Sequence, residues 1–227
     1  MTKPDKAAST DRKDKRRQQL IEATQTVIAR QGFAGTRLAD VARQAGVSYG
    51  VVSFYFKTKE DLLLATLQWL AEEYTQVWRK AVAEAGDDPA DRLRAIIEAD
   101  FSPRIASEKK IAVWFAFWAE SRVRANYRKL CAELFNDYHW QVRNIVQELI
   151  DQYDCKHLDA HLVTLGINGM TDGMWLDMQI QPRGFDRKLA RETIELFLAQ
   201  TFPEAFGAAT TESDRQSTNP QSIERST

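Results

Sequence analysis

Residues 36–62 read TRLADVARQAGVSYGVVSFYFKTKEDL, and the spacing within them decides the fold. Leu38, Val41, Ala42 and Ala45 recur at i, i+3, i+4 and i+7, the period of one helical face. Gly46 interrupts that pattern, because glycine enters positive φ without a Cβ penalty, and Ser48 offers a hydroxyl to start a second short helix over about Tyr49–Tyr55. Thr36 is expected to cap the first of these helices. Thr58, with Asp61 three residues on, is expected to open the next as an acidic variant of the capping box. Two short helices joined by a glycine turn are the geometry of a helix-turn-helix, whose second helix enters the major groove of DNA. Val41, Ala42, Ala45, Val47, Val51, Val52 and Phe56 would fill the crotch between helices and leave Ser48, Tyr49, Gly50 and Ser53 pointing outward. On spacing alone, the module is either such a DNA reader or a small helical subdomain with a basic surface.

Outward from this stretch the helical spacing continues. Leu20, Ala23, Thr24, Val27 and Ile28 stripe a helix that ends at Gly32, and Leu63, Leu67, Leu70, Tyr74, Val77 and Ala81 stripe a long one that begins at Thr58. Pro89 suits the first turn of the next, with Leu93, Ile96, Ile97 and Phe101 on one face. Further helices are expected at about 107–122, 125–152, 158–180 and 186–202. The fold class is therefore all-α, with about nine helices. It comprises a flexible arm (1–10), an N-terminal three-helix helix-turn-helix DNA-binding domain (11–58), a C-terminal helical bundle for ligand binding and dimerisation (59–202) and a disordered tail (203–227), the last rich in Ser, Thr, Asn, Gln and Pro.

Composition agrees with this reading. Only 10 Gly and 6 Pro in 227 residues is poor material for an all-β fold, which needs many turns. The longest uncharged apolar run, residues 111–119, is far short of the roughly 18 needed to cross a bilayer, so no membrane span is expected. The first 17 residues are polar and charged without an apolar core, so no secretory signal is expected and the cytoplasm is the expected location. Residues 1–60 carry 12 Lys and Arg against 6 Asp and Glu, a net +6, and the remainder of a chain of net charge −1 is correspondingly acidic. Only the basic N-terminal part is suited to approach a polyanion.

The runs 36–42, 45–48 and 55–62 closely resemble the DNA-binding signature of TetR-family regulators. Within that family, Ser53-Phe54-Tyr55-Phe56, Ala116-Phe117-Trp118-Ala119 and Asp172-Gly173-Met174-Trp175-Leu176 are most similar to BetI-type repressors, the choline-responsive regulators of glycine betaine synthesis. The resemblance implies a homodimeric repressor that binds palindromic operator DNA. It implies that Thr36 and Lys59 hold phosphates, that Tyr55 lies near the backbone, and that Ser48, Tyr49, Gly50 and Ser53 line the groove. Many family members carry a tyrosine where Ser53 stands, so any hydroxyl contact there is shorter or lost. The basic cluster Lys13, Lys15, Arg16 and Arg17 either adds DNA contacts or is a solvated face. The last two helices of the body are implied to pair across a two-fold axis.

Trp114, Phe117 and Trp118 fall at i, i+3 and i+4, Tyr138 lies on the stripe of the next helix, and Trp175 follows Asp172 by three. These aromatics are either core or a cage for a quaternary ammonium such as choline, with Asp172 as counter-charge. The cage reading rests on the attraction of indole faces for methylated cations. A lipophilic-cation sensor controlling an efflux gene is the alternative within the same family. His157 and His161, at i and i+4 near Asp154 and Cys155, raise a metal-dependent enzyme as a different class. No fixed set of four ligands, nucleophile-base pair or phosphate loop accompanies them, so neither metal nor other cofactor nor catalytic activity is expected.

Overall fold

The Asp61 N–H donates to Thr58 Oγ1 at 3.0 Å, and the Thr58 N–H donates to the Asp61 carboxylate at 3.0 Å. This reciprocal pair opens the 26-residue helix Lys59–Glu84. In the computed structural model, which describes residues 6–207 and their side chains from residue 11, ten α-helices and no strand are found. They are α1 (Lys6–Gly35), α2 (Leu38–Gln44), α3 (Tyr49–Tyr55), α4 (Lys59–Glu84), α5 (Pro89–Asp100), α6 (Glu108–Ser121), α7 (Ala125–Gln152), α8 (Ala160–Ile180), α9 (Arg187–Thr201) and α10 (Pro203–Phe206). Asp88, Ser107, Asp159 and Asp186 each accept a backbone N–H at the start of α5, α6, α8 and α9, which satisfies donors that a helix start leaves free.

Two glycines make the turns of the N-terminal module. Gly32 has φ 72° and breaks α1, and Gly46 has φ 65° between α2 and α3. Both values lie where a side chain would be strained. Thr36 does not cap α2. The N-cap is Arg37, without a side-chain bond, and the Thr36 hydroxyl instead donates to the Gly32 carbonyl at 2.9 Å. Ser48 does stand at the N-cap of α3, but its side chain makes no cap bond.

Leu20, Ile21, Val27, Val41, Val52, Phe56 and Leu62 form a small core under α2 and α3, with Val47 half-buried against it. The large core of the body takes Ile28 and Phe33 from the end of α1, together with inner faces of α4 to α9. The packing therefore does not divide at residue 58. The start of α4 belongs to the DNA module, and the end of α1 belongs to the body.

Both ends of the chain differ from expectation. Residues 6–10, taken as a flexible arm, are the first turns of α1, which continue without a glycine or proline into the helix that carries Leu20. Pro203–Phe206, taken as tail, is helical because Phe202 and Phe206 stand at i and i+4. Phe206 is buried, and the Arg94 guanidinium lies 4.5 Å over its ring. The remaining tail, 208–227, and residues 1–5 lie outside the described residues.

Candidate functional site

α3 presents one exposed side. Ser48 and Gly50 are exposed, Tyr49 is 56% exposed and Phe54 65%, while Ser53 is half-buried and Tyr55 packs partly on the small core. Phe54 meets the Tyr55 ring edge to face at 5.3 Å, yet both it and Tyr49 leave most of their rings exposed on a helix of seven residues. Thr36, expected to touch a phosphate, is 1% exposed with its hydroxyl turned inward, so the surface at that helix start belongs to Arg37. Lys59 sits half-buried, and its ammonium donates to the carbonyls of Phe33 at 3.1 Å and Ala34 at 3.2 Å. Burial, then the neighbouring Arg124 charge, lowers its pKa. Two of its three donors are thus spent on the end of α1.

The second feature is a cavity among α4, α6, α7 and α8, with an empty volume of about 440 Å³, mouth included. Its aromatic wall is Tyr74, Trp114, Trp118, Tyr138 and Trp175. Trp118 and Trp175 stack at 6.2 Å between centroids and 11° between planes, and Tyr74 meets Trp175 edge to face at 6.0 Å. No lysine or arginine lines it. His139 does, and burial lowers its pKa, which keeps it neutral at physiological pH. Asp172 stands at the mouth, exposed on one side, and the desolvation of its other side pushes its pKa up to about 6.

Behind the wall lies a fully buried carboxylate. Asp100, in the last turn of α5, accepts the Tyr74 hydroxyl at 2.8 Å and the Tyr138 hydroxyl on its other oxygen, while the Trp175 indole N–H donates to its backbone carbonyl at 3.2 Å. Burial raises its pKa to about 7 against the lowering effect of the two tyrosine hydrogen bonds. Three of the cavity aromatics are therefore aimed by one aspartate.

Phe117 is not part of this cavity. A helix turns about 100° per residue, so Trp118 lies about 40° from Trp114 on one side and Phe117 about 60° on the other. That second direction faces the end of α1 and the first turn of α7, where Phe117 meets Phe33 at 5.7 Å and Tyr127 at 5.5 Å.

Residues 20–66 match the family model for bacterial regulatory proteins of the tetR family, and residues 89–203 match the model for the C-terminal domain of BetI-type transcriptional repressors. The chain belongs to the TetR family, in its BetI-type branch. The repressor is 34% identical to the HTH-type transcriptional regulator BetI of Paraburkholderia xenovorans over 190 residues, which is 81% of this chain and 94% of that one. Its fold is shared with a transcriptional regulator of Pseudomonas aeruginosa, at a TM-score of 0.74 and 23% identity over 85% of this chain and 93% of that one. It is shared too with a regulator of Saccharomonospora viridis solved in complex with choline, at a TM-score of 0.68 and 21% identity over 82% and 96%.

Sequence reasoning missed Asp100, Tyr74 and Arg37 in this repressor. A signal for Asp100 existed, since it follows Ile96 and Ile97 at i+4 and i+3 and so falls on the apolar face of α5. Of the suspected metal residues, Asp154 pairs with Lys156, and the Cys155 thiol donates to the Tyr153 carbonyl. Among the described residues no group of three or more His, Cys, Asp or Glu stands together. No described helix is long and apolar enough to cross a membrane.

Proposed function

We propose that this chain is a homodimeric cytoplasmic repressor that binds palindromic operator DNA through α2 and α3, and that a small quaternary ammonium, choline first, releases it. The genes under its control are those of choline and glycine betaine metabolism, and it acts by binding rather than by catalysis. The observation that carries the effector reading is the wall of Tyr74, Trp114, Trp118 and Trp175 with Asp100 behind it, Asp172 at its mouth and no lysine or arginine among its described lining residues. A methylated ammonium is weakly hydrated and offers no hydrogen-bond donor, and each aromatic face attracts it by about 0.5–2 kcal/mol. Tyrosine hydroxyls that donate to a carboxylate make their rings richer in electrons and better suited to a cation. The S. viridis regulator solved with choline supports the same ligand class.

Ser48, Tyr49, Gly50, Ser53 and Tyr55 are the groove-facing and backbone-facing set of α3, with Phe54 added for its exposure. Arg37, and Lys59 through its remaining N–H, serve phosphates. Dimerisation uses α8 and α9, where Leu162, Leu165, Leu176, Ile180, Leu189 and Leu196 are exposed and Gly169 and Gly173 have nothing within 4 Å of a Cβ built on them. Exposed apolar area on that scale belongs under a partner.

Calorimetry tests the effector. Choline is expected to bind in the micromolar to millimolar range, about −8 to −4 kcal/mol, and its neutral carbon isostere 3,3-dimethylbutan-1-ol at least tenfold more weakly. Equal binding of the two sinks the cation reading, and tighter binding of large lipophilic cations than of choline would favour an efflux regulator.

A further inference from the structure

The polar edges of the cavity wall nearest Asp100 are all in use. Tyr74 and Tyr138 give their hydroxyls to its carboxylate, and Trp175 gives its N–H to its carbonyl. The α8 wall is different. Asn168 and Thr171 are each 5% exposed and both line the cavity. Among the described residues neither amide atom of Asn168 has a hydrogen-bond partner, nor does the Thr171 hydroxyl, nor the indole N–H of Trp118, which lines the same cavity from α6.

Comparison within the chain sharpens the point. Thr24, Thr36, Thr66 and Thr164 are buried too, and each donates its hydroxyl to the carbonyl four residues earlier, at 2.7–2.9 Å. Thr171 forgoes that bond. A buried polar group without a partner is costly and rare, and several on one cavity wall call for a ligand that completes them. Asn168, Thr171, Asp172 and Trp175 stand at i, i+3, i+4 and i+7, so a single face of α8 carries them all into the cavity.

We infer that Asn168 and Thr171 form a hydrogen-bonding subsite that reads the uncharged polar end of the effector, a hydroxyl or a carbonyl. The inference rests on the quaternary-ammonium reading above and adds what that reading leaves open. A trimethylammonium group has no donor or acceptor and completes none of these atoms, so the other end of the molecule must do so. A primary amide both donates and accepts, a threonine hydroxyl does the same, and the Trp118 N–H donates. An alcohol satisfies them in both senses. A carboxylate only accepts, and it meets the like charges of Asp172 on the same face of α8 and of Asp100 behind the aromatic wall. The aromatic faces therefore select the charge, and Asn168 with Thr171 selects the tail.

Calorimetry of the full chain with choline, propyltrimethylammonium and glycine betaine tests this, since the second replaces the hydroxyl of choline by a methyl group. Choline is expected to bind at least tenfold more tightly than propyltrimethylammonium, a difference of about 1.4 kcal/mol, and more tightly than glycine betaine. Asn168→Leu and Thr171→Val keep the side-chain shapes and remove the unpartnered atoms, so their melting temperatures should be no lower than the parent's. In each, the preference should fall to within about threefold through loss of choline affinity alone, with propyltrimethylammonium bound as before. Should Asn168→Leu fail to fold, Thr171→Val decides by itself. Equal binding of the two cations by the parent, a preference kept in the folded variants, or glycine betaine bound as tightly as choline overturns the subsite and leaves the cage standing. Binding of neither cation overturns both.

Discussion

The ring of Phe33 meets the ring of Phe117 edge to face at 5.7 Å, and through that contact the end of α1 touches the helix that carries Trp114 and Trp118. Phe33 is also held by Tyr127 at 5.7 Å, and the cations of Arg124 and Lys59 lie 5.5 and 5.7 Å from its ring centre. Arg124 in turn pairs with Glu60 at 3.1 Å, at the start of α4. A ligand that shifts α6 therefore pushes on the end of α1, which is seated in the body while the earlier turns of the same helix lie in the core of the DNA module. Phe117→Leu is expected to keep choline affinity within about threefold while weakening the coupling between choline and operator, which for such switches is commonly about 1–3 kcal/mol. The measurement is choline affinity for the free and the operator-bound repressor; an undiminished ratio in the variant would remove Phe117 from the path. Phe117→Ala should cost about 3–5 kcal/mol of stability, since the ring is fully buried.

Asp100 is expected to make choline binding depend on pH. Its folded pKa, about 7, lies above that of an unfolded aspartate, so its contribution to stability is present below about pH 4 and is lost as pH rises through 7. A bound cation favours the ionised form and so expels the proton. Choline affinity should accordingly rise between pH 5.5 and 8, by up to about tenfold per pH unit below 7, and level off above; Asp172, at about 6, adds in the same direction. Asp100→Asn should flatten most of this profile. Calorimetry in buffers of different ionisation enthalpy reads the released proton directly.

On DNA, affinity is expected to fall steeply with salt, by about 0.9 in log–log slope for each phosphate held. Arg37→Ala and Lys59→Met should each weaken all sequences alike and reduce the slope. Tyr49→Ala should instead change site preference at a cost of about 1–3 kcal/mol, because its ring is free on the exposed side of α3. Thr36→Val should leave the salt slope unchanged, since that hydroxyl is buried on Gly32. Fluorescence anisotropy with operator and scrambled duplexes separates these outcomes.

Leu165→Glu and Leu196→Glu place charges on the exposed faces of α8 and α9. Each should convert the dimer to a folded monomer in sedimentation at micromolar concentration and abolish two-fold symmetric footprints, because one seven-residue recognition helix reads too few base pairs alone. A dimer undisturbed by both charges places the interface elsewhere.

By itself the sequence determined the local structure. Apolar periodicity, Gly46 with its positive φ, and the Thr58–Asp61 box are written within a few residues, so the helix-turn-helix, the start of α4 and the helices of the body were legible there. Several of the aromatics that line the cavity were legible too, at helical spacing. What only the tertiary structure decided is which direction each face looks. Trp114, Phe117 and Trp118 share one side of α6 in sequence, yet α1 takes Phe117 and the cavity takes the tryptophans, because α6 lies between two neighbours. Thr36 looked like a surface cap until Gly32 turned the chain and offered its carbonyl. Asp100 and Tyr74 lie 26 residues apart on different helices, and the bond between them exists only once α4 and α5 pack. A buried carboxylate is tolerated only where such partners converge, and convergence across helices is a property of packing, which no local pattern encodes.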